Sequence, residues 1–356
     1  MNISTDFKDE SPFPNKPSGA YEWWYFDALT NDKNWGIVAI FYEGNPFSPN
    51  YIEGITSRDA TPNNFPAVSI SIYHNKQTEY YSFKEYSAHD FEFNEATNEY
   101  KIGDCAFQRT VGQEGVSYTL TFDQVLVSGF SLVGQLTFKS PKLLKGTIAQ
   151  KSSNDHHLWN LIQPQAEVKG VLLISGKTKN HDIEFEGLGY HDHNVGFKPM
   201  KDDFEDWYWG RFHFDDATLI YYNMNQNTGR QYQAWLFDNK DPSSIHEFTN
   251  IELKEEGLTP FGLRSSRVIS LSSKEIQVHI QQSHCVDSGP FYQRFIAEAV
   301  LNNGESLKTS TGISEYIKPE RIYNKIFWPA VRMRLQFMNQ KAHWVQKSKR
   351  LYPWTW

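Results

Sequence analysis

Short apolar runs separated by turn residues dominate the pattern along the chain. Residues 36–42 (GIVAIFY) are apolar and β-branched, and Asn31-Asp32-Lys33-Asn34 supplies a turn joining them to a strand over 21–28. Apolar and polar positions alternate over 67–73 (AVSISIY), 115–122 (GVSYTLTF) and 130–138 (FSLVGQLTF), the period of a half-buried strand. Residues 169–175, 219–224, 232–237, 266–271 and 275–280 continue the series. This spacing predicts an all-β protein of antiparallel sandwiches or barrels. A helical period stands out only near the end. There Pro329 is placed for a first turn and is followed by Val331, Leu335, Met338, Ala342 and Val345.

One pattern occurs twice. Glu22-Trp23-Trp24-Tyr25 and Asp206-Trp207-Tyr208-Trp209 both read acid, Trp, aromatic, aromatic, about half the chain apart. Each is followed by turn residues and then an apolar strand. The repeat predicts two domains of similar build, residues 1–190 and 191–356, the second ending in the helix.

Composition narrows the class. The chain has 356 residues, with 11 Trp, 19 Tyr and 25 Phe against 5 Met, which suits aromatic-walled strands better than a helical bundle. Two cysteines, Cys105 and Cys285, exclude a disulfide framework or a cysteine-rich zinc site. A net charge of −7 argues against a nucleic-acid partner. The first residues lack a basic and apolar leader, and no window reaches 18 apolar residues, so a soluble, cytoplasmic protein is expected. Charge is unevenly placed. Residues 321–356 carry eight Lys and Arg and no acid, so the remaining 320 residues hold −15. Such a tail either complements the acidic remainder of the chain or makes peripheral contact with an anionic membrane.

Four segments carry candidate chemistry. On a strand, Tyr21, Trp23, Tyr25 and Asp27 share one face and Glu22, Trp24 and Phe26 the other, so one face covers a core or lines a cavity. Rings lining a cavity can stabilise a substrate cation. His191 and His193 would share a strand face around Asp192. Without a third ligand at fixed spacing, a buried hydrogen-bond hub is preferred to a metal site. Asp155-His156-His157 reads as a solvated polar segment. Asp104 interrupts the apolar stretch Ile102-Gly103-Asp104-Cys105-Ala106-Phe107. If it faces inward, desolvation favours the neutral acid; the alternatives are an outward face or a turn. Phosphate-cradling glycine motifs and a GxSxG elbow are absent from the sequence.

The motifs YEWWYFDA at 21–28, GLGYHDHNVG at 187–196 and WYWGRF at 207–212, with WNLIQPQAEVKG at 159–170, resemble the family of bacterial carotenoid 1,2-hydratases. Val195 stands where the family usually has Trp. The resemblance implies two tandem lipocalin-like antiparallel β-barrels and a lipophilic prenylated or polyene substrate, with no metal or organic cofactor. The family also includes cyclases of prenylated meroterpenoids and fungal Diels–Alder pericyclases. In the meroterpenoid cyclases an aspartate on a strand of the first barrel donates the proton, and Asp104 resembles it by position. The matching motifs make Trp23, Trp24, Tyr25, Asp27, Tyr190, His191, His193, Trp207 and Trp209 the expected substrate-binding residues. A cofactor-free isoprenoid cyclase is therefore expected, in which Asp104 protonates an alkene and neighbouring alkenes close the cation. Hydration of the same cation, a pericyclic reaction and plain carriage of a lipophile are the alternatives.

Overall fold

In the computed structural model, which describes residues 1–57, 60–113, 115–141, 148, 156–226, 229–241 and 243–356, the strands fall into two curled sheets. The first contains β1 (Asn2–Ser4), β2 (Tyr21–Thr30), β3 (Trp35–Glu43), β4 (Ala67–His74), β5 (Gln77–Glu85) and β6 (Phe91–Asn94). It continues with β7 (Glu99–Ile102), β8 (Cys105–Val111), β9 (Val116–Val125), β10 (Ser131–Ser140), β11 (His157–Ser175) and β12 (Asn180–Gly196). Its order is β5-β4-β3-β2-β12-β11-β10-β9-β8-β7-β6, with β1 parallel to β11. The second contains β13 (Phe204–His213), β14 (Ala217–Gln226), β15 (Gly229–Asp238), β16 (Ile245–Glu247), β17 (Asn250–Leu258), β18 (Arg264–Ser272), β19 (Gln277–Ser288), β20 (Tyr292–Asn302) and β21 (Leu307–Ile317). Its order is β16-β15-β14-β13-β21-β20-β19-β18-β17.

The two sheets share one topology, as the repeat requires. Each tetrad strand pairs on one side with the next strand and on the other with the last long strand of its sheet: β2 with β3 and β12, β13 with β14 and β21. The side chains alternate alike. Trp24 and Phe26 point into the first barrel, where the Phe26 ring lies 5.3 Å from Phe107, 5.6 Å from Tyr118 and 5.5 Å from Phe138. Tyr208 and Phe212 join the core of the second barrel with Ile269 and Phe295. This is the two-barrel, lipocalin-like all-β fold.

The compact units do not divide at residue 190. One comprises Met1–Met200 with Lys325–Trp356, the other Lys201–Asn324. The reason is that β12 pairs with β2 from Gly187–Thr30 to Gly196–Tyr21, so a cut at 190 would split that ladder. The C-terminal helix is also shorter than its period suggested. It covers only Trp328–Arg334, and Leu335 is already extended. There β22 (Gln336–Phe337) pairs with β5, and the Gln346 side-chain amide donates to the carbonyls of Arg332 and Leu335, which ends the helix. Val331, Leu335 and Val345 are nevertheless buried. Among the described residues no helix is long and apolar enough to cross a membrane.

The first barrel is unusual in holding charge at its centre. The wholly buried Glu10 carboxylate accepts from Arg109 Nη1 at 2.9 Å and the Tyr118 hydroxyl at 2.6 Å, and lies 2.6 Å from His191 Nε2. Lys16 pairs with Glu22 and, at 2.8 Å, with Glu43; His193 Nε2 lies 2.7 Å from Glu22. Burial alone would raise Glu10, but the interactions with His191, Arg109 and Tyr118 outweigh it and hold the carboxyl below its usual value. Glu10→Ala leaves Arg109 and His191 buried without their carboxylate, and is expected to cost about 3–5 kcal/mol in chemical denaturation at neutral pH. Because the folded value is depressed, this contribution is present above the unfolded value of 4.5 and lost as pH falls through the folded one. The gap between parent and variant should therefore narrow on acidification; a gap constant down to pH ~3 would contradict the ionised assignment.

Candidate active site

Three adjacent strands of the first barrel place one set of polar side chains on its outer face. In the β2–β12 ladder Asp27 lies opposite Tyr190, Tyr25 opposite Asp192 and Trp23 opposite Asn194. In the β11–β12 ladder Trp159 lies opposite Asn194 and His157 opposite Gly196. Directly opposed residues share a face, so Tyr21, Trp23, Tyr25, Asp27, His157, Trp159, Tyr190, Asp192 and Asn194 gather on the side away from the ionic core.

Asp192 is the hub. Its Oδ2 accepts from Trp159 Nε1 at 2.7 Å and the Tyr190 hydroxyl at 2.6 Å, and its Oδ1 accepts from Asn194 Nδ2 at 2.9 Å. With its nitrogen on Asp192, the Asn194 amide turns its oxygen to His157 Nε2, 3.1 Å away. That orientation assigns the proton to Nε2 and leaves Nδ1 to accept from the Tyr21 hydroxyl at 3.2 Å. Burial, and then the Asp192 charge, push the Tyr190 phenol well above its usual value, so it stays a donor. Asp27, fully buried, sits diagonally across the ladder from Asp192, a Cα separation of about 7–8 Å. Rings flank the carboxyls: Tyr21 stacks on Trp23 at 5.2 Å, and Tyr25 meets Tyr190 edge-on at 6.1 Å.

The same outer face continues across β3, β4 and β5 through Trp23, Tyr42, Ala67 and Glu85, which lie opposite one another in turn. Burial pushes Glu85 up to about 7, against hydrogen bonds from Ser48 and Asn45. Tyr42, Phe47 and Phe83 form a ring cluster beside it on this face.

The structure sorts the expected residues into three groups. Trp23, Tyr25, Asp27 and Tyr190 share the Asp192 face. Trp24, His191 and His193 lie in the barrel interior: the Trp24 indole donates to the Glu10 carbonyl at 3.1 Å and stacks on His193 at 5.0 Å. The two histidines do share a face, but each meets a different glutamate. Trp207 and Trp209 occupy the corresponding outer face of β13 in the second unit, opposite Ile317 and Glu315.

Asp104 is not on a strand. Ile102 pairs with Cys105, leaving Gly103 and Asp104 as a two-residue hairpin loop. Gly103 has φ +57, and a Cβ there would lie 2.1 Å from the Tyr86 ring, so only glycine fits the turn. The Asp104 carboxylate receives Lys84 Nζ at 2.6 Å, Gln124 Nε2 at 3.1 Å and the Tyr86 hydroxyl. Lys84 is on β5 and Gln124 on β9, so Asp104 helps draw together the two sides of the curled sheet. Its side chain is 28% exposed.

His157, Trp159, Asn194 and Glu85 were not selected from sequence. His157, expected to be solvated, is buried on β11; Asp155 lies outside the described residues. The available signal was alternation: His157 and Trp159 are two apart, as are Tyr190, Asp192 and Asn194.

Asp104→Asn weakens the tie to the buried Lys84 ammonium. It is expected to lower stability by about 1–3 kcal/mol while leaving turnover of the folded protein within about tenfold of the parent. A loss of about 10²-fold or more in a variant that melts like the parent would instead make Asp104 the proton donor expected from the resemblance.

Comparison with known proteins agrees with this geometry at the level of family and fold. The family model described as carotenoid hydratase CrtC matches residues 39–345. The hydroxyneurosporene dehydrogenase of Chlorobaculum tepidum is 28% identical over 94% of this chain and 92% of its own. The acyclic carotenoid 1,2-hydratase of Thiocapsa roseopersicina is 23% identical over 90% of this chain and 72% of its own. The solved structure of CghA is similar in fold, with a TM-score of 0.59 at 12% identity over 87% of this chain and 94% of that one. With the family model spanning most of its length, the chain belongs to the carotenoid hydratase family.

Proposed function

We propose that this protein is an acid catalyst that adds water across a carbon–carbon double bond of a lipophilic, isoprenoid-type polyene, with Asp192 as the proton donor. The observation that carries the proposal is the setting of Asp192. It is a buried carboxyl among aromatic rings, and it takes hydrogen bonds from three uncharged donors, Trp159, Tyr190 and Asn194. The three donors stabilise the anion formed once the proton has left.

In its protonated form Asp192 transfers its proton to the less substituted carbon of a trisubstituted alkene, and the π pair becomes the new C–H bond. The tertiary cation left behind is stabilised by the negative faces of neighbouring rings such as Trp23 and Tyr25, worth about 2 kcal/mol each in a dry site. Water adds to the cation and returns a proton to Asp192, which restores the acid. The sum is addition of one water. Asn194 and Tyr190 fix the carboxyl's direction, and His157, itself held by Tyr21, fixes Asn194.

Hydration rather than ring closure is supported by membership of the hydratase family and by the polar chain of Tyr21, His157 and Asn194 that runs to the carboxyl. Ring closure, the outcome expected from the sequence, shares the first step and would leave the substrate mass unchanged. The expected result with an acyclic carotenoid dispersed in detergent is a product heavier by one water, carrying the label when made in ¹⁸O-water. Asp192→Asn should lower turnover by at least about 10²-fold with the melting temperature retained. An isomeric product would make the protein a cyclase. Full activity in Asp192→Asn would remove the acid role and favour a pericyclic reaction, and an unaltered ligand bound equally by both proteins would identify a carrier.

A further inference from the structure

We infer that the C-terminal segment, residues 325–356, is a docking surface for an anionic lipid bilayer. The inference stands on this surface alone and does not depend on the reaction at Asp192. The segment holds seven basic residues and no acidic one. It folds against the first barrel as a short helix, the two-residue strand β22 and single helical turns.

Its side chains divide into two sets. Val331, Leu335, Val345 and Tyr352 are buried, and the Trp356 ring packs 5.4 Å from Phe130 and 6.3 Å from Tyr81. The other set faces solvent: Trp354 is 82% exposed, Ile326 75% and Trp344 66%, with Met338 and Leu351 also exposed. Trp354 and Trp356 lie two residues apart at the chain end, one turned outward and one turned in. Large apolar side chains clustered in the open mark a contact surface.

Charge points to the partner. Lys325 and Arg332 lie 3.9 and 3.7 Å from Glu53, and Arg334 lies over the Tyr81 ring at 4.4 Å, so these three serve the fold. Lys341, Lys347 and Arg350 are exposed among the outward apolar residues, with no acid in the segment to balance them. Exposed indole rings and cationic side chains in one segment match the interfacial layer of an anionic bilayer, where Trp sits at headgroup depth and Lys and Arg meet lipid phosphates.

The position is apt for a lipophilic substrate. Tyr81, against which Trp356 and Arg334 pack, belongs to the row Asp27, Val38, Ser71, Tyr81 of the outer face. The docking segment thus borders the face that carries Asp192.

The test is co-sedimentation of the full chain with vesicles of phosphatidylcholine alone and of phosphatidylcholine with phosphatidylglycerol, at low and high salt. The expected result is binding to the anionic vesicles at low salt, released by high salt. Each basic residue near such a surface contributes about fivefold, so Lys341→Gln/Lys347→Gln/Arg350→Gln should bind about 10²-fold more weakly. Trp344→Ser/Trp354→Ser should also bind more weakly. Both variants should keep the parent's melting temperature and its turnover of detergent-dispersed substrate. Equal pull-down on the two vesicle types, or parent-like binding by either variant, would overturn the inference. Self-association abolished by Trp344→Ser/Trp354→Ser, without vesicle binding, would also overturn it and assign the patch to a second copy of the chain.

Discussion

The register of β12 on β2 is the constraint on which the first barrel depends. A strand deals its side chains alternately to two faces, and here both faces are committed. One carries Trp24, Phe26, His191 and His193 into the interior; the other carries Trp23, Tyr25, Asp27, Tyr190 and Asp192 outward. A slip of one residue would exchange the sets, leaving Glu10 without His191 and removing Asp192 from Trp159. The ionic centre and the candidate site are therefore held by the same ladder, and the strong specification of one fixes the other.

Several carboxyls of this barrel are held by cations. Glu10 has Arg109, Glu22 and Glu43 have Lys16, and Asp104 has Lys84. A carboxylate paired with a permanent cation is committed to that pair, because losing either partner strands the other in a dry interior. Asp192 is oriented by a phenol, an indole and an amide. These donors, from β11 and β12, fix the direction of its carboxyl.

Duplication supplied a second barrel of the same topology but different content. Its core gathers Phe212, Phe214, Ile269 and Phe295, and the buried Tyr221 and Ser314 hydroxyls hydrogen-bond at 2.8 Å. Where β2 has Asp27, two positions after Tyr25, β13 has the wholly buried Arg211 two positions after Trp209. On the same face Arg294 Nε donates to Glu315 at 2.7 Å. The scaffold has been retained while the polar groups on it have changed, as expected when function is grafted on a fold.

The sequence by itself determined what depends on local alternation. The strand runs over 36–42, 67–73 and 219–224 lie within observed strands, the tetrads head equivalent strands, and Trp23, Tyr25 and Asp27 were placed together on one face. The motifs identified the family because they contain the ladder that builds its site. What depends on pairing partners was decided by the tertiary structure. Asp104 looks like an acid in an apolar strand until Ile102 pairs with Cys105 and makes it a turn residue facing Lys84. The helical period after Pro329 breaks because an open edge at β5 captures Gln336 and Phe337. His157 and Asp192 lie far apart in sequence and are joined through Asn194 only when β11 pairs with β12. Alternation says which residues share a face of one strand, but which strands lie side by side is set by long-range pairing, and that alone assembles the carboxyl with its donors.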